Sequence, residues 1–203
     1  MPMLDALTFH TGDVSENDMY KLMIGSVVPR PIAWVSSMSE DGILNLAPFS
    51  FFTVASRNPP TLVISIGPGV DERKGTEKDT LTNIREVREY VINIVPAPLG
   101  EAMVRSSASV EWHCNEFKLA GVTPRLSQTS VVPSVLEAPI AFELRLDRII
   151  PLGTDHLVLG IVKSVHINPL VYAGEFKIDI DALRPLASLA GNYAEITPVF
   201  SLG

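Results

Sequence analysis

The sequence predicts one mainly β domain, residues 1–203, in which antiparallel strands form a closed or sandwiched barrel. A length of 203 residues is typical of a single domain, and no linker, repeat or low-complexity segment divides the chain. The 16 prolines and 13 glycines are spread along the sequence and cut the apolar residues into short segments, which favours strands over long helices. Because these strands do not alternate regularly with helices, a barrel is favoured over a doubly wound sheet.

The first predicted elements are a short helix and a β-hairpin. The helix covers 17–24, where Asn17 is placed to cap it and apolar side chains recur on one face. Strands over 32–38 and 43–46 flank an Asp-Gly turn at 39–42, which is the signature of a hairpin.

Two more strands and a second helix follow. Residues 49–55 and 61–66 are apolar, β-rich runs, and the second run ends at a glycine–proline–glycine turn. Residues 80–89 carry apolar side chains at helical spacing, and Asp79 or Thr80 is placed to cap this helix.

The second half of the chain is predicted to end in two long strands. A strand over 90–95 is stopped by a proline, and a helical stretch near 99–107 leads into a segment rich in proline and serine. Apolar and polar residues alternate over 140–150, and a β-rich run covers 156–167.

Composition and charge exclude several functional classes. The formal net charge is −7 and the pI is about 5.1, which argues against a general nucleic-acid binder. Cys114 is the single cysteine, so neither a disulfide framework nor a zinc ribbon is expected. No apolar run reaches the roughly 18 residues of a membrane span, and the N-terminus lacks the pattern of a signal peptide. We therefore expect a cytoplasmic protein that contacts neither membrane nor nucleic acid.

The most informative polar pattern lies at the start of the second predicted helix, where Lys78, Asp79 and Thr80 are followed by Asn83. The first turn of a helix has unpaired backbone N–H groups and a partial positive charge, which together suit a phosphate. Lys78 would neutralise one phosphate oxygen, and the Thr80 hydroxyl would donate to another. The alternative is an ordinary capped helix with solvated charges, and spacing alone favours that alternative.

A second polar segment runs from Asn45 to Ser50. Pro48 fixes the backbone there, so main-chain N–H and C=O groups would lie beside the Asn45 amide and the Ser50 hydroxyl. Such a ledge suits a flat heteroaromatic ring with polar edges. The alternative is an edge-strand irregularity in which Pro48 costs no ladder hydrogen bond, and spacing alone does not choose between the two.

Other polar clusters carry no chemical motif. Glu111, His113 and Cys114 are nearly adjacent, so on a strand they would point to opposite faces, and we expect a structural patch and no metal site. Gly67-Pro68-Gly69 lacks the third glycine and the following helix of a dinucleotide fingerprint. His156, just before a late strand, is a minor candidate near a barrel mouth.

Four motifs, taken in order, resemble the flavin reductase-like family, the FMN-binding split barrels of the flavoredoxin type. The motifs are Pro29–Ser37, Asn45–Phe52, Pro59-Pro60, and Lys78-Asp79-Thr80 with Asn83. Their order and spacing match from about Tyr20 to Asn93, and weaker similarity continues through Glu116 and His156 to Tyr193. The resemblance therefore covers most of the chain.

The resemblance implies a six-stranded antiparallel Greek-key split barrel with a few short peripheral helices. It also implies a homodimer that holds FMN in a groove near the interface. Position by position, Trp34, Ser36 and Ser37 would line the ribityl chain and ring, Asn45, Ala47, Pro48, Phe49 and Ser50 would hold the isoalloxazine edge, and Lys78, Thr80 and Asn83 would hold the phosphate.

The activity implied by the resemblance is hydride transfer from NAD(P)H to FMN, with the reduced flavin kept or passed to a partner monooxygenase. Such a transfer depends on stacking and orientation more than on an acid–base residue, so no catalytic side chain is predicted. Ser50 and nearby backbone N–H groups would stabilise the reduced flavin. Two alternatives stay open: an FMN-binding electron carrier reduced by a partner protein, and a barrel that has lost its flavin.

Overall fold

The computed structural model describes residues 6–196 and residue 200, which fold mainly as short strands. The helices are α1 (Glu16–Ser26), α2 (Asp79–Val87), α3 (Gly100–Arg105), α4 (Glu116–Ala120) and α5 (Ile180–Leu183). The strands are β1 (Arg30–Pro31), β2 (Ala33–Met38), β3 (Leu44–Phe49), β4 (Phe52–Arg57), β5 (Pro60–Ile66), β6 (Glu89–Ile94), β7 (Pro124–Arg125), β8 (Ser134–Val135), β9 (Ile140–Leu152), β10 (Asp155–Ile167), β11 (Tyr172–Gly174), β12 (Lys177–Ile178), β13 (Leu186–Ser188) and β14 (Tyr193–Glu195).

One antiparallel sheet of seven strands carries most of the core, in the order β3-β2-β6-β9-β10-β5-β4. The strands at its two edges, β3 and β4, are consecutive in the chain and are joined only by Ser50 and Phe51. Since consecutive Cα atoms are about 3.8 Å apart, the end of β3 and the start of β4 lie within about 11 Å of each other. The sheet must therefore curl until its edges meet at this corner.

The curled sheet differs from the barrel expected from the sequence. It has seven strands where the family resemblance implies six, and within the described residues no ladder joins β3 to β4 into a closed barrel. The reason is the bend at Ser50 and Phe51, which directs β3 onto β2 and β4 onto β5. The strong β content and the short peripheral helices are as expected.

The sheet is buried on both faces at β2. On its inner face, Ala33 and Val35 pack with apolar side chains from the other strands of the sheet and from α2. On its outer face, Trp34 packs with Met103 of α3 and Phe117 of α4. Strand β2 thus joins the main core to a smaller core under α3 and α4.

Glu143 on β9 binds the segment between α4 and β9 to the sheet through hydrogen bonds. It is fully buried and accepts hydrogen bonds from the backbone N–H groups of Gln128 (2.8 Å) and Thr129 (2.6 Å). It also accepts from the Thr129 hydroxyl at 2.6 Å and contacts His166 Nε2 at 2.5 Å. Burial alone would raise the pKa of Glu143, but these hydrogen bonds outweigh it and lower the pKa to about 2. Glu143 is thus a structural carboxylate.

Most predicted elements are present, with shifted ends. The predicted strand over 49–55 is broken, because Phe49 ends β3 before the bend. Helix α2 ends at Val87, since Arg88 adopts a left-handed conformation with φ 63° that stops the helix before β6. Residues 111–114 form a turn and not a strand. Helix α4 and the elements after β10 are absent from the sequence predictions.

Candidate functional site

An open pocket lies between the start of α2, strand β3 and the loop that follows α3. Its interior has a volume of about 70 Å³ and opens to solvent. Its lining includes Asn45, Ala47, Arg73, Lys78, Asp79, Thr80, Ser106, Ser107, Ser109 and Glu116. The pocket thus combines residues from both segments that the sequence analysis singled out, the Asn45–Ser50 segment and the start of α2.

Helix α2 opens onto this pocket with a start that no side chain caps. Lys78 is the N-cap residue, and its side chain makes no capping hydrogen bond. Asp79 is engaged instead by the Arg73 guanidinium, with Nη2 at 2.7 Å from Oδ1. The Thr80 hydroxyl donates to Asn45 Oδ1 at 2.8 Å. The expectation of a cap at Asp79 or Thr80 is wrong, because α2 begins at Asp79 and its N-cap is Lys78, which has no side-chain acceptor. Lys78, Asp79 and Thr80 line the pocket, so this uncapped helix start lies at its wall.

Lys78 supplies a positive charge at the pocket wall. Burial lowers the pKa of its ammonium, and the neighbouring Arg73 guanidinium lowers it further. Arg73, the other cation of the lining, is already paired with Asp79. Within residues 6–196, Lys78 forms no ion pair, so its charge is available to an anionic ligand beside the helix start.

The Asn45 side chain is the centre of a buried hydrogen-bond network behind the pocket wall. Its Oδ1 accepts from the hydroxyls of Ser37 at 2.9 Å and Thr80 at 2.8 Å. Its Nδ2 donates to Glu116 Oε1 at 3.0 Å. Asn83 Nδ2 donates to Ser37 Oγ at 3.1 Å. All five side chains are buried, so the network connects β2, β3, α2 and α4 at one point.

Glu116 is a pocket residue that the sequence analysis did not select. It is the first residue of α4, where Asn115 forms the N-cap, and its Oε2 accepts from the backbone N–H of Leu46 at 3.2 Å. Burial raises the pKa of Glu116 to about 7, more than its hydrogen bonds from Leu46 and Asn45 lower it, and the nearby Asp79 carboxylate raises it further. The Asn-Glu pair signals a helix start, but no local pattern signals the burial of this carboxyl.

Three of the predicted contacts have side chains directed away from the pocket. Trp34 is fully buried, and its indole N–H donates to Ser106 Oγ at 2.8 Å, which holds one pocket-lining hydroxyl in place. Ser36 is fully buried and accepts from Asn93 Nδ2 at 2.9 Å. Phe49 belongs to the main core. These side chains support the site from behind and do not line it in this chain.

Pro48 and Ser50 line a second, shallower depression together with Met103 and Tyr193. Strand β3 is an edge strand, and the backbone N–H of Leu46, two residues before Pro48, points away from β2 to Glu116. Pro48 therefore occupies a position where its missing N–H costs no ladder bond, as the edge-strand interpretation expected. This depression and the first pocket flank the same strand.

The loop before α2 closes tightly against the pocket. Gly69 donates its N–H to Thr76 O at 2.8 Å, and a Cβ at Gly69 would clash with the backbone carbonyl oxygen of Arg73. The glycine is thus required by a close approach within the loop and not by a nucleotide. His156 lines a neighbouring hollow that also touches Lys78.

Comparison with known proteins gives one family for nearly the whole chain. The family described as "Flavin reductase like domain" matches residues 24–193. An uncharacterised protein of Halalkalibacterium halodurans is 38% identical over 197 residues, covering 93% of this chain and 92% of that protein.

Two solved structures are similar in both sequence and fold. The nitrilotriacetate monooxygenase component B of Bacillus cereus is 34% identical with a TM-score of 0.92, covering 98% of this chain and all of that one. The 2-nitrobenzoate 2-nitroreductase of Pseudomonas fluorescens is 30% identical with a TM-score of 0.86, covering 97% of this chain and 95% of that one. In the described part of the chain, no helix is long and apolar enough to span a membrane.

The network at Asn45 makes a prediction about stability and pH. In Asn45→Asp the volume is kept, but a carboxylate oxygen replaces Nδ2 and faces Glu116 Oε1 at about 3 Å. We expect a loss of about 2–4 kcal/mol in the free energy of unfolding at pH 8. The loss should be less than about half as large at pH 5, because below the raised pKa of Glu116 a shared proton removes the repulsion.

Urea denaturation at both pH values measures this difference. Asn168→Asp is the matched control, since Asn168 is exposed and caps a short helical turn by accepting from Leu170 N. The control should change stability little at either pH. An equal loss for Asn45→Asp at pH 5 and pH 8 would contradict an ionisable contact between Asn45 and Glu116.

Proposed function

Because this chain belongs to the flavin reductase-like family, we propose that it binds FMN and transfers a hydride to it from NAD(P)H. The observation that carries the proposal is the uncapped start of α2 beside Lys78, at the wall of an open pocket. Helix N-termini with a neighbouring cation are common phosphate sites. A phosphate monoester, with a charge near −2 at neutral pH, matches these donors.

The residues present fit the flavin in two parts. Lys78, the free N–H groups of α2 and the serine hydroxyls after α3 would hold the phosphate and the ribityl chain in the first pocket. The depression at Pro48, Ser50 and Tyr193, on the other side of β3, would hold the ring. When bound, FMN supplies the hydride-accepting chemistry, and the chain positions it.

Arg30 is suited to stabilise negative charge on the ring. It is buried, and its guanidinium donates to the backbone carbonyls of Ile24 (2.5 Å), Val27 (2.9 Å) and Leu189 (3.0 Å). Its Nε lies 3.4 Å from Ser50 Oγ. No carboxylate pairs with Arg30 in the described residues, so its charge is fixed and uncompensated beside the ring depression. Preorganised charge of this kind lowers the energy of a developing anion.

The acceptor of the electrons is proposed from the relatives. The Bacillus cereus structure is a component of a monooxygenase, so we propose that reduced flavin passes from this chain to a partner monooxygenase. The Pseudomonas fluorescens structure is a nitroreductase, which makes direct reduction of a nitroaromatic the second candidate.

The visible absorption spectrum tests the central proposal. Purified protein loaded with FMN should lose its flavin bands when NADH or NADPH is added without oxygen. Bands that persist with both nucleotides, yet bleach with a chemical reductant, would overturn the reductase in favour of an electron carrier. Failure to retain FMN at all would overturn flavin binding itself.

Lys78→Ala tests the phosphate end of the site. A charge-assisted hydrogen bond contributes about 1.5–3 kcal/mol, so the substitution should weaken FMN binding by about 10- to 150-fold. Riboflavin, which lacks the phosphate, should bind almost equally well to both proteins. Lys74→Ala is the matched control, because Lys74 is an exposed lysine of the same loop. Equal losses for FMN and riboflavin would show that Lys78 does not anchor the phosphate.

We also propose that two copies of the chain pair next to the ring depression. Helix α1 has no buried residue, and its Tyr20 ring lies 6.4 Å from that of Phe51, both partly exposed. On the neighbouring edge strand, Val54 is 67% exposed. A second copy would cover this apolar surface beside Ser50, and would enclose the ring site.

Sedimentation equilibrium measures the pairing. Burying a valine contributes about 1.5–3 kcal/mol, so Val54→Asp should weaken the dimer by at least about tenfold. Val131→Asp, at a valine that is 64% exposed in another segment, should leave the dimer unchanged. A monomeric wild-type protein, or equal effects of the two substitutions, would contradict this interface.

A further inference from the structure

We propose that Glu116 is a positioning residue that takes up a proton when a phosphate group enters the pocket. Protonated Glu116 would make the Asn45 amide rotate, so that its nitrogen and oxygen exchange places. The Thr80 hydroxyl would then no longer donate to Asn45 and could donate to the phosphate. This inference rests on the proposed function, because the anion in question is the phosphate of FMN. It adds a proton-dependent step to the binding of that phosphate.

The present hydrogen bonds define one direction of donation. Glu116 accepts from both Asn45 Nδ2 and Leu46 N, as an ionised carboxylate does. With its amide nitrogen facing Glu116, Asn45 must turn its oxygen to Ser37 and Thr80. Both hydroxyls, those of Ser37 and Thr80, therefore donate their single hydrogen to Asn45.

The consequence is that Thr80 has no hydrogen for a ligand in this state. Thr80 is a buried residue, and because its one hydroxyl hydrogen is bound to Asn45, the oxygen has only lone pairs left, which would repel a phosphate oxygen. The sequence analysis expected this hydroxyl to be a phosphate donor. It becomes one only if the direction of donation is reversed.

Protonated Glu116 allows that reversal with every partner satisfied. Its new O–H donates to Asn45 Oδ1, and its other oxygen keeps the Leu46 N–H. Asn45 then donates its two N–H groups to the oxygens of Ser37 and Thr80. The Ser37 hydrogen turns to the Asn83 side chain, whose amide must turn over so that its oxygen accepts where its nitrogen now donates. The Thr80 hydrogen turns to the pocket.

Charged groups on both sides of the balance surround Glu116: the Asp79 carboxylate favours proton uptake and the Arg73 guanidinium opposes it. From the start of α2, Asp79 and Lys78 face the same pocket, and Arg73 from the preceding turn is paired with Asp79. Glu77 also lines the pocket but is paired with Arg85.

The other elements packed against α4 bring no further cation to Glu116. Strand β3 has no titratable side chain, and on α3 the charged groups are Glu101 and Arg105. Arg105 donates to Ala120 O at the opposite end of α4. Burial already raises the pKa of Glu116 to about 7, so a phosphate dianion beside it makes the protonated form the stable one near neutral pH.

Isothermal titration calorimetry with FMN tests the proton uptake. Titrations at pH 8 in two phosphate-free buffers of different ionisation enthalpy give the number of protons bound with the ligand. Since a group of pKa about 7 is mostly ionised at pH 8, wild type should take up about 0.9 proton more than Glu116→Gln, and only about 0.1 more at pH 6. The FMN phosphate titrates equally in both proteins and cancels.

Affinity gives a second readout of the same event. The Glu116→Gln substitution keeps the volume of the side chain and presents an amide donor to Asn45, as protonated Glu116 does. The ratio of wild-type to Glu116→Gln dissociation constants should therefore rise about tenfold from pH 6 to pH 8. Riboflavin, without a phosphate, should show neither the extra proton nor the change in ratio.

The Thr80→Val substitution distinguishes the contribution of the Thr80 hydroxyl from that of charge alone, because valine has the same shape as threonine but no hydrogen-bond donor. At pH 6, Thr80→Val should bind FMN about tenfold more weakly than wild type, and its proton uptake at pH 8 should be less than half that of wild type. Full uptake in Thr80→Val would overturn the reversal at Asn45. Equal uptake in wild type and Glu116→Gln would overturn the role of Glu116.

The wild-type protein alone keeps the inference testable if a variant does not fold. FMN binding with no extra proton at pH 8 relative to riboflavin, after allowance for the FMN phosphate, would contradict the proton uptake. FMN that does not bind wild type at all would instead contradict the proposed function.

Discussion

The pocket depends on one side chain, the Asn45 amide, because four elements meet there. It joins β3 to β2 through Ser37, to α2 through Thr80, and to α4 through Glu116. An amide suits this place since it offers acceptors on one side and donors on the other. Thr80 is engaged in this network and Asp79 is engaged by Arg73, while the N-cap position belongs to Lys78, whose side chain has no acceptor for a capping hydrogen bond. The helix start is therefore uncapped because a lysine stands at its N-cap, and the network fixes that start against the pocket wall.

Two buried glutamates show how the number of donors decides the role of a carboxyl. Glu143 receives two backbone N–H groups, a hydroxyl and a histidine contact, which hold its pKa at about 2 in spite of burial. Glu116 has the Leu46 N–H and the Asn45 amide, with Asp79 nearby, and its pKa is about 7. The first is locked in one charge state and suits a structural junction. The second changes charge near neutral pH, so it can respond to a charged group that enters the pocket.

Local spacing was sufficient to predict the longer strands and the polar residues at the start of α2, because both depend on nearby residues. Asn45 and Thr80 were selected from separate segments, and the antiparallel hairpin and the packing of α2 bring them together. Glu116 could not be found in this way, since it meets Leu46 across 70 residues of sequence and only tertiary packing buries it. For Trp34, the sequence could not show which way the side chain faces. Strand β2 is buried on both faces, so its sequence does not alternate and gives no sign of which side chains face a ligand.

An acidic protein can still recognise a phosphate when most cations near the site form ion pairs and one cation at the site does not. The net charge is −7, and the loop from Asp71 to Asp79 contains more acidic than basic residues. Within that region, Arg73 is matched by Asp79, and Arg85 of α2 is matched by Glu77, so neither guanidinium attracts an anion strongly. Lys78 is left at the helix start, half-buried, where solvent screens its charge less than at an exposed position. Selectivity for a phosphate then comes from the positions of one cation, Lys78, and a few backbone N–H groups. The acidic residues Asp79 and Glu77 contribute by pairing with the guanidinium groups of Arg73 and Arg85.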